Sequence, residues 1–261
     1  MTSGAAGLRA PARAASVGVM RVVIAGGHGK IALHLERILS ERGDQAVGLV
    51  RNEGHVPDVR DTGADAEVID LEFSTAEQLA RRLAGADAVV FAAGAGPGSS
   101  AERKDTVDRG AAVLLADAAV TAGVDRYLLI SSPGVDKPPA PGTDAVWAAY
   151  LRAKKAAEVE VAQRSVGLTV LRPGVLTDDP GTGLVELAPP GLPRGDVTRA
   201  DVAQVVAALL AEPAVWAARA GLVLDLLGGS TPVADAVAAV TAGPKDGADG
   251  GANAGANGDP V

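Results

Sequence analysis

Arg21-Val-Val-Ile-Ala-Gly-Gly-His-Gly-Lys-Ile-Ala32 decides the fold. Its apolar run, Val22–Ala25, reads as a short buried strand, and Leu33-His-Leu-Glu-Arg-Ile-Leu39 continues as a helix. Between them, Gly26, Gly27 and Gly29 let the backbone approach a ligand with no side chain in the way. The helix that follows points its unpaired N–H groups and the positive end of its dipole at whatever sits there. At the head of an alternating strand/helix chain the usual occupant is a dinucleotide pyrophosphate, although glycines also close ordinary strand–helix turns.

Working outward, strand-like runs recur at Ala46–Val50, Glu67–Ile69, Ala88–Ala92, Tyr127–Ile130, Leu168–Leu171 and Leu222–Leu227. Several are continuously apolar, as parallel strands covered on both faces must be. Helices are expected between them: one opened by a capping box at Ser74-Thr-Ala-Glu77, then Asp105–Ala122, Val146–Gln163 and Ala200–Leu210. Thr231-Pro232 is read as the N-cap and first residue of a last helix. The pattern predicts an α/β fold: a Rossmann-type doubly wound parallel sheet of about seven strands in a single domain spanning residues 20–242. Residues 1–19 are expected to be a disordered extension, with Met20 as an alternative start. Residues 243–261, rich in Gly, Ala, Asn and Asp, are expected to be a disordered tail.

Composition narrows the function. The formal charge of −8, with no offsetting Lys/Arg cluster, argues against a nucleic-acid or anionic-membrane surface. The chain has no cysteine, which removes disulfides, thiolate metal sites and cysteine nucleophiles, and leaves the cytoplasm as the expected setting. No apolar run approaches the roughly 20 residues that span a bilayer. With three histidines and no recurrent carboxylate spacing, no metal site is expected. The partner expected is a small-molecule substrate. Surface helices rich in Ala and Val offer faces either for a homodimer or for packing on the sheet.

Arg51 ends the second strand, where a dinucleotide fold meets the adenosine ribose. An NAD-preferring site would carry an acid there, whereas a guanidinium suits a 2′-phosphate. NADP(H) is therefore favoured over NAD(H), with Lys30 as a second cation; the alternative is a solvated arginine. Asp70 and Leu71 follow the third strand, to accept from the adenine amino group and cover its ring, or to make a turn. Ala92, Ala93 and Gly94 after the fourth strand leave room for a ribose. His28 is read equally as a pyrophosphate ligand or a turn filler.

The chemistry-bearing set comes later in the chain. The fifth strand ends in Ser131-Ser132, and Tyr150 and Lys154 stand four apart on a predicted helix, on one face. A cation beside a phenol lowers its pKa, and a serine hydroxyl binds the same substrate oxygen, which suits proton donation to a carbonyl receiving hydride.

Gly26-Gly-His-Gly-Lys-Ile31, Val50-Arg51, Ile69-Asp-Leu71, Tyr127–Ser132, Tyr150–Lys154, Leu171-Arg-Pro-Gly174 and Val197-Thr-Arg-Ala-Asp-Val202 together resemble the atypical short-chain dehydrogenase/reductase group. The similarity is to its NAD(P)H-binding, NmrA-like branch, which also includes biliverdin reductase B. It implies that Pro173 lies by the nicotinamide and that the following loop shapes the substrate pocket. Ala32 stands where the family's third glycine would be. Members of the family divide between enzymes and cofactor-binding sensors. The expected activity is an NADP(H)-dependent reductase of a small carbonyl or conjugated acceptor; the alternatives are a redox sensor and a nucleotide-sugar epimerase.

Overall fold

β1 (Arg21–Ala25), β4 (Ala88–Phe91) and β5 (Arg126–Ile130) are buried along nearly their whole length, and their alternate residues feed two different cores. Val22, Ile24, Val90 and Leu128 face one side, while Val23, Ala25, Phe91 and Leu129 face the other, as the two-residue period of a strand requires. The structure is a computed structural model that describes residues 18–96, 98–217 and 221–242. The predicted N-terminal extension therefore lies outside the described residues except for Gly18 and Val19, and the predicted tail lies wholly outside them.

The other parallel strands are β2 (Gln45–Val50), β3 (Asp65–Val68), β6 (Gly167–Pro173) and β10 (Leu222–Gly228). Seven parallel strands on one core are what the sequence predicts. Among the described residues the sheet nevertheless has nine, because β8 (Leu184–Ala188) and β11 (Thr231–Pro232) add an antiparallel edge beside β10. A separate two-stranded sheet pairs β7 (Val175–Thr177) with β9 (Asp196–Thr198). The region after Gly174 is thus richer in strands than the expected loop, two helices and strand. These segments are two to five residues long, too short to show a period.

Helices α1 (Lys30–Glu41), α7 (Arg199–Ala211) and α9 (Val233–Thr241) cover one face. The other is covered by α3 (Ala76–Arg82), α5 (Ala112–Ala122) and α6 (Ala145–Ala162). Two short helices, α2 (Val56–Arg60) and α4 (Ala101–Arg103), flank the cleft described below, and α8 (Pro213–Ala217) follows α7. Tyr127 is wholly buried in the second core and its hydroxyl donates to the Ala112 carbonyl at 2.8 Å, so no polar atom of the ring is stranded.

Three local readings are corrected. The capping box sits one residue later than predicted: Thr75 accepts from Gln78 N and Gln78 Oε1 accepts from Thr75 N, while Ser74 donates to the Asp70 carbonyl. The predicted helix Asp105–Ala122 begins at Ala101 and runs through a π-helical segment, Lys104–Ala111, before α5. Thr231-Pro232 forms β11, and Pro232 is the N-cap of α9 with no side-chain cap. Among the described residues no helix is long and apolar enough to cross a membrane.

Candidate active site

The sheet order runs β11-β8-β10-β6-β5-β4-β1-β2-β3, so the chain winds one way from β1 through β3 and the other way from β4. Ligands of open α/β sheets bind at that reversal, beyond the carboxyl ends of the strands. Here Gly26, just after β1, meets Ala93, just after β4. Gly26 has φ +83°, and a Cβ on it would stand 2.7 Å from the Ala93 Cα. Gly27 donates to the Leu49 carbonyl at 2.9 Å, and a Cβ there would strike the Gly48 backbone at 2.6 Å. The turn is a glycine cradle packed directly on the ends of β4 and β2, where any side chain would meet backbone.

α1 leaves this turn with Gly29 as its N-cap, no side-chain cap and no acid in its first turn. Its first N–H groups are left for an anion, in contrast to α3, α6 and α7, which are capped by Thr75, Asp144 and Thr198. Beside it opens a cleft of about 300 Å³ lined by Gly26, His28, Gly29, Arg51, Asp70, Leu71, Ala92, Ala93 and Gly94, among others. These nine predicted residues are brought together. The lining also includes Glu72, Arg103 and Val107, which the sequence does not single out.

Gly27, Lys30 and Ile31 do not line it. Gly27 is buried beneath the turn, and Ile31 packs on the first core. Lys30 Nζ pairs with Asp178, which Arg199 also holds, tying α1 to the segment after β7. His28 Nε2 is 2.7 Å from Asp58, and the ring stacks on His55 at 3.7 Å between centroids. Asp70 uses one carboxylate oxygen to accept from Glu72 N at 2.9 Å, closing its own turn.

The second half of the site is built where β5 ends against α6. Lys154 is buried, and its ammonium donates to the Ile130 carbonyl at 3.1 Å. Its Nζ stands 5.8 Å from the Tyr150 ring centre, and Lys104 Nζ stands 5.4 Å from the same centre. Trp147, half exposed, stacks on Tyr150 at 4.9 Å. The predicted pair therefore shares a face beside the strand end, with a second cation from the π-helical segment.

The two serines diverge. Ser131 Oγ donates to Glu158 at 2.6 Å, and Glu158 also receives two hydrogen bonds from Arg172, so this hydroxyl belongs to a buried network. Ser132 is buried with only a 3.4 Å contact to the neighbouring Pro133 carbonyl. Pro173 ends β6, buried and in register with Leu226. The segment expected to shape the pocket is held by Asp201. That carboxylate accepts from the Thr182 and Gly183 N–H groups and the Thr198 hydroxyl. Burial raises its carboxyl pKa, and these hydrogen bonds more than reverse the effect.

The π-helical segment brings in Asp108, which the sequence reading missed. One oxygen accepts from Ala95 N at 3.2 Å and the other lies 3.3 Å from Lys154 Nζ. A Cβ at Gly94 would come within 3.0 Å of it. π-Helical turns concentrate at functional sites, but a single sequence gives no period that marks one.

Comparison with known proteins agrees with this geometry. Residues 26–213 match the NAD(P)H-binding family model. The chain is 31% identical over 219 residues to YhfK of Bacillus subtilis, named as an uncharacterised sugar epimerase, with 84% of this chain and 99% of that one covered. A solved Bacillus halodurans structure, named for an NAD-dependent epimerase/dehydratase, shares 33% identity and a TM-score of 0.76, covering 84% of this chain and 99% of that one. The oxidoreductase ylbE of Lactococcus lactis shares 27% and a TM-score of 0.72, covering 84% and 96%. The chain belongs to the NAD(P)H-binding family.

Proposed function

We propose that this protein is an NADP(H)-dependent reductase of a small carbonyl or conjugated acceptor. The observation that carries the reading is the Tyr150–Lys154 face of α6 set against the end of β5, beyond the cradle at Gly26. The uncapped α1 N-terminus and the glycine turn hold the pyrophosphate, and Ala92, Ala93 and Gly94 give the ribose its backbone floor. When bound, the nicotinamide supplies the hydride. Tyr150 holds the proton that the substrate oxygen takes up, the Lys154 and Lys104 ammonium groups flank its ring, and the Ser132 hydroxyl orients that oxygen. Arg51, 58% exposed at the cleft mouth, supports the preference for a 2′-phosphate.

Tyr150→Phe is expected to lower kcat by about 10²–10⁴-fold while leaving the NADPH dissociation constant unchanged. Unaltered turnover would remove Tyr150 from the mechanism. A second reading, sugar epimerisation, is favoured by the names of the Bacillus relatives. It differs in stoichiometry, because an epimerase returns its hydride and consumes no net cofactor. Net loss of NADPH absorbance matched by reduced product supports the reductase.

A further inference from the structure

Glu72 lines the cleft and bridges its two walls. It follows Asp70-Leu71 on the β3 side, and one carboxylate oxygen accepts from Thr106 Oγ1 at 2.8 Å on the opposite wall. The other oxygen accepts from Arg103 Nη2 at 2.5 Å and, more loosely, from Arg51 Nη1 at 3.4 Å. The acid is largely covered, with its side chain 16% exposed, whereas Arg51 and Arg103 are 58% and 39% exposed. Arg51, Glu72 and Arg103 all line the cleft. Burial raises the Glu72 carboxyl, but the Arg103 and Thr106 hydrogen bonds and the two guanidinium charges outweigh it, so the group is an anion at neutral pH.

We propose that Arg103 is the second guanidinium of the 2′-phosphate site and that Glu72 sets the cofactor choice by competing with the phosphate for both arginines. This rests on the cofactor reading above. Guanidinium pairs suit phosphate because their planar forks donate in parallel, and the same forks are held by the carboxylate here. With the acid in place the cluster carries two positive charges and one negative, leaving a single net charge to face a phosphate monoester of about −2. Neutralising Glu72 doubles the charge available. The loose Arg51 contact and the exposure of both arginines let the guanidiniums turn towards a ligand without breaking packed structure. An NADH-type ribose, having no phosphate, gains nothing from either arginine and can donate its 2′-hydroxyl to Glu72.

The test is calorimetric titration of NADPH and NADH into wild type, Glu72→Gln and Arg103→Ala. Glu72→Gln keeps the side-chain shape and acceptor for Thr106, so the fold is retained. Glu72→Gln is expected to tighten NADPH by about tenfold, and Arg103→Ala to weaken it by about tenfold, the size of one charge-assisted hydrogen bond. NADH should not tighten with Glu72→Gln and should be unmoved by Arg103→Ala. A NADPH/NADH affinity ratio unchanged in both variants, with wild type binding normally, overturns the role of Glu72 and Arg103 and leaves the cofactor reading intact. Wild type binding neither nucleotide overturns both.

Discussion

Lys154 Nζ lies 3.3 Å from Asp108 Oδ1, and both side chains are 5% exposed or less. One belongs to α6 and the other to the π-helical segment, so the pair joins the chemistry-bearing helix to the wall of the cofactor cleft. A buried ion pair stabilises little in net terms, because desolvation offsets the attraction, but removing one partner strands the other. Here the pair sets where the ammonium is.

Asp108→Ala is expected to destabilise the fold by about 3–5 kcal/mol in urea denaturation. Adding Lys154→Met to it should recover much of the loss, since the stranded ammonium is then gone. Strictly additive effects would show that the two groups do not interact.

Glu36 gives a pH signature. It is wholly buried on α1, neither oxygen has a partner among the described residues, and a Cβ on Gly48 or Gly27 would stand 2.5 or 3.0 Å from one of them. Burial pushes its carboxyl from the ordinary 4.5 to about 9, so folding keeps a proton that the unfolded chain releases. The contribution of Glu36 to stability should therefore be full below pH 4.5 and fall as pH rises towards 9. The stability gap between Glu36→Met and wild type should widen by a few kcal/mol from pH 4 to pH 8. Parallel profiles for the two proteins would contradict this.

The network beyond the site gives the opposite slope. Hydrogen bonds from Arg172 and Lys155 hold the Asp136 carboxyl down from 3.8 to about 2. Its contribution is present above pH 3.8 and is lost as pH falls through 2. Asp136→Asn should flatten the acid limb of the stability profile over that interval. Because Asp136 is half exposed, the effect is expected to be modest.

The parallel core was legible in the sequence because apolar strands, glycine turns and the four-residue Tyr150–Lys154 spacing are local patterns. Glu36 was not singled out in the sequence, although with Ala32, Leu35 and Leu39 it completes an i, i+3, i+4, i+7 stripe that places an acid on the buried face. Asp108, Glu72 and Arg103 were not legible, because their meaning lies in partners far along the chain. The β7–β9 pair and the β8–β11 edge were missed because their segments are short and are ordered by tertiary contacts such as those of Asp201.

The central claim is that the turn at Gly26 and the arginine at the end of β2 hold a phosphorylated dinucleotide. Calorimetric titration of NADPH against wild type, Arg51→Ala and Gly26→Val tests it most directly. NADPH should bind wild type, weaken by about tenfold with Arg51→Ala and be lost with Gly26→Val, whose side chain would meet the Ala93 backbone and displace the turn. Equal binding by all three, or binding by none, would contradict the account.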